Sequence, residues 1–389
     1  MPEWVLFFHG DLLTKERQDT IRKSRRIEKT PLRRFQFLVS LMGLFHFKMA
    51  CADAIWRTYV KSLERRTDPN SLFQHVGILR PHETGKFGSK PSFRQLHDVT
   101  HHDIWASILE CWELAVRERN PAWDTLESFA ATRPKWDLVV EISEYIVEKY
   151  VASTSTLLDE REKPPSNRDQ IFENQILRNR DELLYLETSH AMNAGDIGRV
   201  EDTFLPWIYI FHATGKYKYA THLTQFMLDM QNVYPEDLKK IIRMNLLCNP
   251  TGKPHAFRAV DWLVERNNLY TKVIFGGTGS SHTIQHIIKE SNLIELYRQC
   301  HVTMERGFFL TNRTIHHKHP DMTLTISELR SLIRQHKALI PTPGRSADIV
   351  LPDQVYTGMM DRLKANTTEE IPSTVDKELE ADDFMDDAP

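Results

Sequence analysis

Cysteine is scarce in this chain of 389 residues, with four in all. Cys51, Cys111, Cys248 and Cys300 stand far apart, each beside apolar residues and none in a CxxC pair. That spacing excludes a disulfide framework and a zinc knuckle, and it is the pattern of buried thiols in a reducing compartment. Long apolar runs are missing as well, since nothing approaches the roughly 20 residues that a membrane-crossing helix needs. The opening run from Trp4 to Phe8 is too short for a signal segment and is followed by no small-residue cleavage site. These absences predict an intracellular protein that does not span a membrane. There is also no excess of positive charge: 50 Lys and Arg stand against 53 Asp and Glu, a formal net charge of −3. No global field therefore drives non-specific binding to nucleic acid, and any such site has to be a local patch. Repeats of fixed period are absent.

Hydrophobic residues make up 41% of the chain and aromatic residues 10%, enough for a large core and far from the composition of wholesale disorder. Trp4 to Phe8 reads as a strand that stops at His9-Gly10-Asp11, which leaves Asp11 at a strand's C-terminal end. A basic helical stretch from Lys15 to Lys29 ends before Pro31, Phe35 to Leu41 reads as a second strand, and Leu44 to Leu63 has helical spacing after a break at Gly43. From Pro91 to Tyr150 apolar residues recur at helical intervals, as in Ile104, Ile108, Cys111 and Ala115. Further helices are predicted over Arg168 to Asn193, Ile197 to Ala213, Tyr217 to Tyr234 and Glu236 to Leu247, parted by Gly195, Gly215 and Pro235. Such short connections imply antiparallel neighbours. Val260 to Ile274 and Thr283 to about Arg306 are also helical, on either side of a glycine loop.

The fold class predicted is mainly α with a small N-terminal β element. Four regions follow: a strand and helix segment over 1–90, a helical region over 91–250, a C-terminal helical segment over 251–340, and a weakly ordered acidic tail over 341–389. The loop Leu79 to Lys90 and the segment Asp159 to Asn167, with its Pro164-Pro165, are the best connectors, and the second is the preferred boundary. Glu369 to Asp387 carries many like charges and almost nothing apolar, which predicts disorder there.

Three constellations bear on chemistry. His97 and His101 stand at i,i+4, the spacing of a zinc-binding helical pair, but no general-base Glu lies between them, and histidines this dense more often form a polar helix face. His316, His317 and His319 form a second cluster before Pro320. Gly276-Gly277-Thr278-Gly279-Ser280-Ser281 opens a helix and could cradle an anion on free backbone N–H groups. No Lys follows the last glycine, so the loop fits neither a P-loop nor a dinucleotide fingerprint, and a capped turn accounts for it. The carboxylates go further. Asp11 follows a strand, while Asp261 and Glu265 stand at i,i+4 on one helix face. Carboxylates from a strand end and a helix can hold Mg²⁺ for phosphodiester chemistry. Surface ion pairing is the alternative, with Arg266 adjacent.

Several motifs in order along the chain carry a resemblance. Gly10-Asp11-Leu12-Leu13-Thr14, Phe45-His46-Phe47-Lys48-Met49, His190 through Gly195-Asp196-Ile197-Gly198-Arg199, Tyr219-Ala220, Asn249-Pro250-Thr251-Gly252, and Asp261 through Glu265 to Asn268 resemble a large uncharacterised fungal family, known only as a domain of unknown function. The resemblance runs to about Ser331. It implies transposon ancestry and an RNase H-like core, interrupted by a helical insertion from about Phe93 to Leu247. It also implies DNA as partner, the nucleus as location, Asp11 and Glu265 as metal ligands, and Asp11, Asp261 and Glu265 as catalytic residues served by Mg²⁺. Two departures lower the expected activity. Longer relatives carry an acidic strand motif upstream of the Gly-Asp segment, and they tend to have Glu where His222 stands. The chain is therefore expected to be a truncated or degraded copy, inactive by itself. The rival reading is a non-catalytic helical interaction module in the cytoplasm, and a small-molecule enzyme built on the glycine loop comes last. Arg199 either contacts phosphate or pairs with Asp196, Glu201 or Asp202 beside a capped helix start. His46, between Phe45 and Phe47, reads as a hydrogen-bonded core histidine.

Overall fold

The computed structural model describes residues 4–266, 283–310 and 320–365. Strand β1 (Leu6–Gly10) pairs in parallel with β2 (Leu38–Met42), from Leu6 opposite Leu38 to Gly10 opposite Met42. Helix α1 (Leu12–Ser24) makes the crossover between them. Both strands begin later than the apolar runs suggest. For β2 the reason is local: Phe35 has a positive φ of 54°, which interrupts the extended run ahead of Leu38. Helix α1 begins earlier than Lys15 because Asp11 caps it, accepting from Thr14 N at 2.7 Å.

Helix α2 (Leu44–Tyr59) follows β2 after Gly43, and every residue of it except Lys48 and Arg57 is buried. A helix that is apolar nearly all round belongs at the centre of a core. Short helices α3 (Leu72–Leu79) and α4 (Thr84–Ser89) lead to α5 (Phe93–Arg119), which opens on a Ser92–Gln95 capping box. Then come α6 (Leu126–Ala131), α7 (Trp136–Tyr150), α8 (Thr154–Glu162) and the long α9 (Gln170–Ala194). Helix α9 ends at Gly195, whose φ of +77° is the left-handed cap conformation that glycine adopts without steric cost. Helices α10 (Ile197–Asp202), α11 (Phe204–Ala213), α12 (Tyr217–Leu228) and α13 (Glu236–Asn245) complete the helical body. Helix α2 packs against α5, α9 and α11.

After α13 a second, antiparallel pair of very short strands forms, β3 (Leu247–Cys248) with β4 (Arg258–Ala259). Helix α14 starts directly after β4 and is described over residues 260–266. Further on lie α15 (Ile284–Ser291), α16 (Ile294–Gly307), α17 (Thr323–Gln335) and α18 (Gln354–Ala365). The protein is mainly helical, with a small parallel sheet at its N-terminal end. One apolar cluster runs from Leu12 through the helical body to Leu339. The Pro164-Pro165 connector joins α8 to α9 without interrupting it.

Residues 341–365 are held more firmly than the sequence suggests. Arg345 forms a two-pronged pair with Asp169 at 2.6 and 2.9 Å. Arg180 does the same with Asp353 at 2.9 and 3.0 Å. Helix α18 lies so close along α11 that a Cβ on Gly358 would fall 2.0 Å from the Tyr209 carbonyl oxygen. Charge pairs and backbone approach, rather than apolar periodicity, order this stretch. The acidic residues from Glu369 onward, the Gly276–Ser281 loop and His316, His317 and His319 lie outside the described residues. Among those described, no helix is long and apolar enough to cross a membrane.

Candidate carboxylate site at the strand ends

The parallel strands end side by side, with Gly43 N donating to Gly10 O at 3.1 Å. Each strand then turns into a helix. Asp11 caps α1 with its own side chain, whereas α2 starts at Gly43, which has none to offer. The missing cap comes from Asp261 on α14, 216 residues beyond Phe45 in the chain. Its Oδ1 accepts from Phe45 N at 3.0 Å, and its Oδ2 accepts from His46 N at 3.1 Å and from His46 Nδ1 at 3.0 Å. A carboxylate there also meets the positive end of the α2 dipole. Asp261 is 1% exposed, so these bonds offset the cost of burying its charge.

His46 carries the network one step further. An ionised carboxylate only accepts, so the contact with Asp261 places a proton on Nδ1. That leaves Nε2 turned toward Glu265 Oε1, 4.0 Å away, beyond direct hydrogen-bond range. Glu265 is half-buried, one helical turn after Asp261. His9, near the end of β1, is a further neighbour: burial lowers its pKa, and the charge on Asp261 partly offsets that.

The strand ends thus bring Asp261 and Glu265 together around His46, with Asp11 on the same edge beside Gly10. Arg199 lies elsewhere. Its guanidinium grips Glu187 at 2.6 and 2.7 Å, while its backbone N–H donates to Asp196, the α10 cap. The partner is Glu187 instead of Asp196, Glu201 or Asp202, because α9 runs beside α10 and Glu201 is taken by Arg243. His46 is the buried, hydrogen-bonded histidine that its flanking phenylalanines suggest. Sequence spacing assigns His9 no role and marks Gly43 only as a break before a helix. The helix break at Gly43 was the available signal, but nothing local says that a carboxylate lies against it.

Among the described residues, no group of three His, Cys, Asp or Glu side chains is arranged to hold a metal ion. Mg²⁺ commonly binds through one or two carboxylates and keeps several waters. Glu265 has the right donor chemistry for that mode, and Asp11 brings Oδ2 to it, its Oδ1 accepting from Thr14 N at 2.7 Å. Asp261 does not add to it, because both its oxygens are engaged by the start of α2.

Parallel strands feeding capped helices, joined to a large helical body, define a mainly helical protein with a small α/β corner. The chain belongs to a family of unknown function: the model of the "Family of unknown function (DUF6589)" matches residues 2–317. No curated protein and no solved structure matches it.

Proposed function

We propose that this protein is a transposase-derived domain of the fungal, transposon-borne kind. In this reading it keeps part of an RNase H-like core, with Asp11 and Glu265 as Mg²⁺ ligands of an ancestral phosphodiester-cleaving centre that acted on DNA in the nucleus. Residues from about 93 to 247 are its helical insertion. The observation that carries this reading is the return of α14 to the strand ends across the whole helical body, which sets Glu265 4.0 Å from His46 Nε2. Ligand sites of parallel sheets form at the C-terminal ends of strands, and Asp11 sits at such an end.

Bound there, Mg²⁺ would polarise a phosphoryl oxygen and lower the pKa of a coordinated water. The protein's own residues do the positioning. Asp261 fixes α14 against α2, and His46 orients toward Glu265 through its bond to Asp261. Two-metal chemistry needs carboxylates on both ions. With Asp261 committed to α2, Asp11 and Glu265 suffice for one weakly held ion, so no robust cleavage is expected.

Titration with Mn²⁺, followed by electron paramagnetic resonance, tests this. The expected result is weak binding, reduced at least about tenfold by either Asp11→Asn or Glu265→Gln, on the scale of losing one ligand in a site of few. Binding that neither substitution alters would overturn the assignment, and strong Mg²⁺-dependent DNA cleavage would overturn the claim of inactivity. A second reading, a helical interaction module without chemistry, is favoured by the full use of Asp261 in capping, and wild-type protein that binds no Mn²⁺ would select it.

A further inference from the structure

The basic stretch that follows Asp11 takes no part in the strand-end site. Lys15 to Arg34 carries nine Lys and Arg against three Asp and Glu, in a chain whose net charge is −3. Arg22 and Lys23, in the last turn of α1, suit the negative end of its dipole. That effect falls off within a turn, so it leaves the cations further on unexplained. Arg25, Arg26, Lys29, Arg33 and Arg34 lie within ten residues, and Glu28 is the one carboxylate among them.

The segment forms a braced knuckle between α1 and β2. A single turn of 3₁₀ helix over Arg25–Ile27 continues α1, and Arg34 N donates to Thr30 O at 3.0 Å. The Arg34 guanidinium reaches back to the Glu28 carbonyl oxygen, and that of Arg25 lies 4.8 Å from the centre of the Phe35 ring. Phe35 has its φ of 54° in the left-handed region, which a bulky side chain keeps only where its surroundings hold it. Phe37 meets it edge-on at 6.0 Å, and Trp4 packs on Phe37 at 4.7 Å. Glu28 does not neutralise the cations gathered round it. Arg25 Nη1 stands 4.0 Å from its Oε1 and Arg33 Nη1 3.9 Å from its Oε2, both beyond hydrogen-bond range. The side chains of Arg26 and Lys29 are exposed and make no ion pair or hydrogen bond among the described residues. Asp19 and Glu16, the other carboxylates of the stretch, are held by Lys15 and Lys218. Five cations about one carboxylate repel one another until an anion lies between them.

We infer that this knuckle is a docking surface for the phosphate backbone of nucleic acid, gripped without regard to base sequence. Four of the five cations are Arg, whose planar fork matches phosphate oxygens in pairs. A chain of phosphates meets several of them at once, and each contact releases a counterion. A lipid surface fits less well. Interfacial helices segregate apolar from charged residues, whereas the exposed stripe of α1 mixes Leu13 and Ile21 with Arg17 and Ser24. The knuckle stands at the opposite end of α1 from Asp11, about 20 Å away by the rise of a helix of that length. The choice of DNA as the nucleic acid rests on the function proposed above, while the surface itself does not depend on Asp11 or Glu265.

Fluorescence anisotropy of a short labelled DNA duplex of mixed sequence, titrated with the full-length protein in EDTA, tests it. Binding should weaken from about 50 to 200 mM salt with a logarithmic slope of about −4 to −5, as five contacted phosphates require. Arg26→Gln and Lys29→Gln together should weaken it at least about tenfold and make the slope shallower by about two. Neither side chain bonds to the rest of the protein, so the double variant keeps the fold. Lys135→Gln, a charge lost outside the segment, should change nothing. No binding at about 50 mM salt, or binding that the double variant leaves unaltered, would overturn the inference. So would tighter binding to phosphatidylserine vesicles than to DNA at equal salt, which would make the knuckle a membrane contact. Asp11→Asn still offers α1 a capping oxygen and should leave DNA binding in EDTA intact. Protein that binds DNA through the knuckle but takes up no Mn²⁺ fails the metal assignment alone, and protein that binds Mn²⁺ but no DNA fails this inference alone.

Discussion

At Gly43 the backbone is ordinary, with φ −68° and ψ 121°, so conformation does not demand glycine there. Space does: a Cβ would fall 2.1 Å from Asp261 Oδ2. Gly43→Ala should push the carboxylate off the start of α2 and uncover the Phe45 and His46 N–H groups. Overpacking costs about 1–3 kcal/mol and loss of a cap about 1 kcal/mol, so urea denaturation should show a loss of about 2–4 kcal/mol. A loss under about 0.5 kcal/mol, the level of a neutral surface change, would refute the crowding argument. A second residue-scale consequence concerns Asp103 and Glu182, both fully buried near His75 and Arg178. Burial pushes the Asp103 carboxyl up, but His75 and Arg178 outweigh it and hold it down to about 2. Burial and then the charge on Asp103 push Glu182 well above the usual carboxylate range. With both ionised, neither has a proton to give the other. With Glu182 protonated, its O–H can donate to Asp103. The depressed Asp103 contributes stability above its unfolded pKa and loses it as pH falls through about 2. Glu182 has the opposite sign: its contribution is complete below its unfolded pKa, around 4.3, and declines as pH rises toward the folded value. Glu182→Gln keeps the neutral shape and a donor. The variant should therefore be more stable than wild type at pH 8, with the advantage shrinking toward pH 4. Denaturation curves across that range check it, and a variant less stable than wild type at pH 8 would contradict the protonated assignment.

Among elements, helices declared themselves through spacing because each buries one face. Ile142 and Ile146 of α7 are buried one turn apart, and Val140 and Val147 are exposed. Elements held by other means were not legible. Strands β3 and β4 are two residues each and exist only by pairing across a ten-residue separation, which leaves no periodic trace. Helix α18 is ordered by Asp353 on Arg180 and by the close approach of Gly358 to α11, neither of which a local pattern announces. The site divides in the same way. Asp11 at a strand end, and Asp261 with Glu265 on one helix face, could be read from spacing. That Asp261 would cap α2 could not, since the contact spans 216 residues and depends on the space Gly43 leaves. Helix α17 shows how such distant contacts add up. Arg334 reaches Glu110 at 2.7 and 2.8 Å and Glu113 at 2.8 Å, and Arg330 also contacts Glu113. Glu110 and Glu113 are spaced i,i+3 on α5 and Arg330 and Arg334 i,i+4 on α17, so the two faces match charge for charge.

The whole molecule extends its core past the stretch matched by the family, which ends at residue 317. Leu329, Ile333, Ala338 and Leu339 are all at most 2% exposed and belong to the same apolar cluster as α2 and α5. Helix α17 packs on both α3 and α5, and α18 covers α11. A chain cut to residues 1–317 would lose these apolar contacts. It would also leave Glu110 and Glu113, 2% and 7% exposed in the intact protein, without the arginines that pair with them across α17. Each lost core side chain costs about 1.5–3 kcal/mol. Typical domains have only about 5–15 kcal/mol in total. The 1–317 chain should therefore fail to unfold cooperatively, keeping helical far-UV circular dichroism but losing its near-UV signal. A chain of residues 1–365 keeps α17, α18 and both arginine clamps, and it should unfold within about 0.5 kcal/mol of the full-length protein, the level of a change outside the core. Urea titrations of the three chains decide the matter. A 1–317 chain with the full-length midpoint and slope would show that α17 and α18 are accessories to a core complete without them. A 1–365 chain markedly weaker than full length would show that the acidic residues beyond it contribute to the fold.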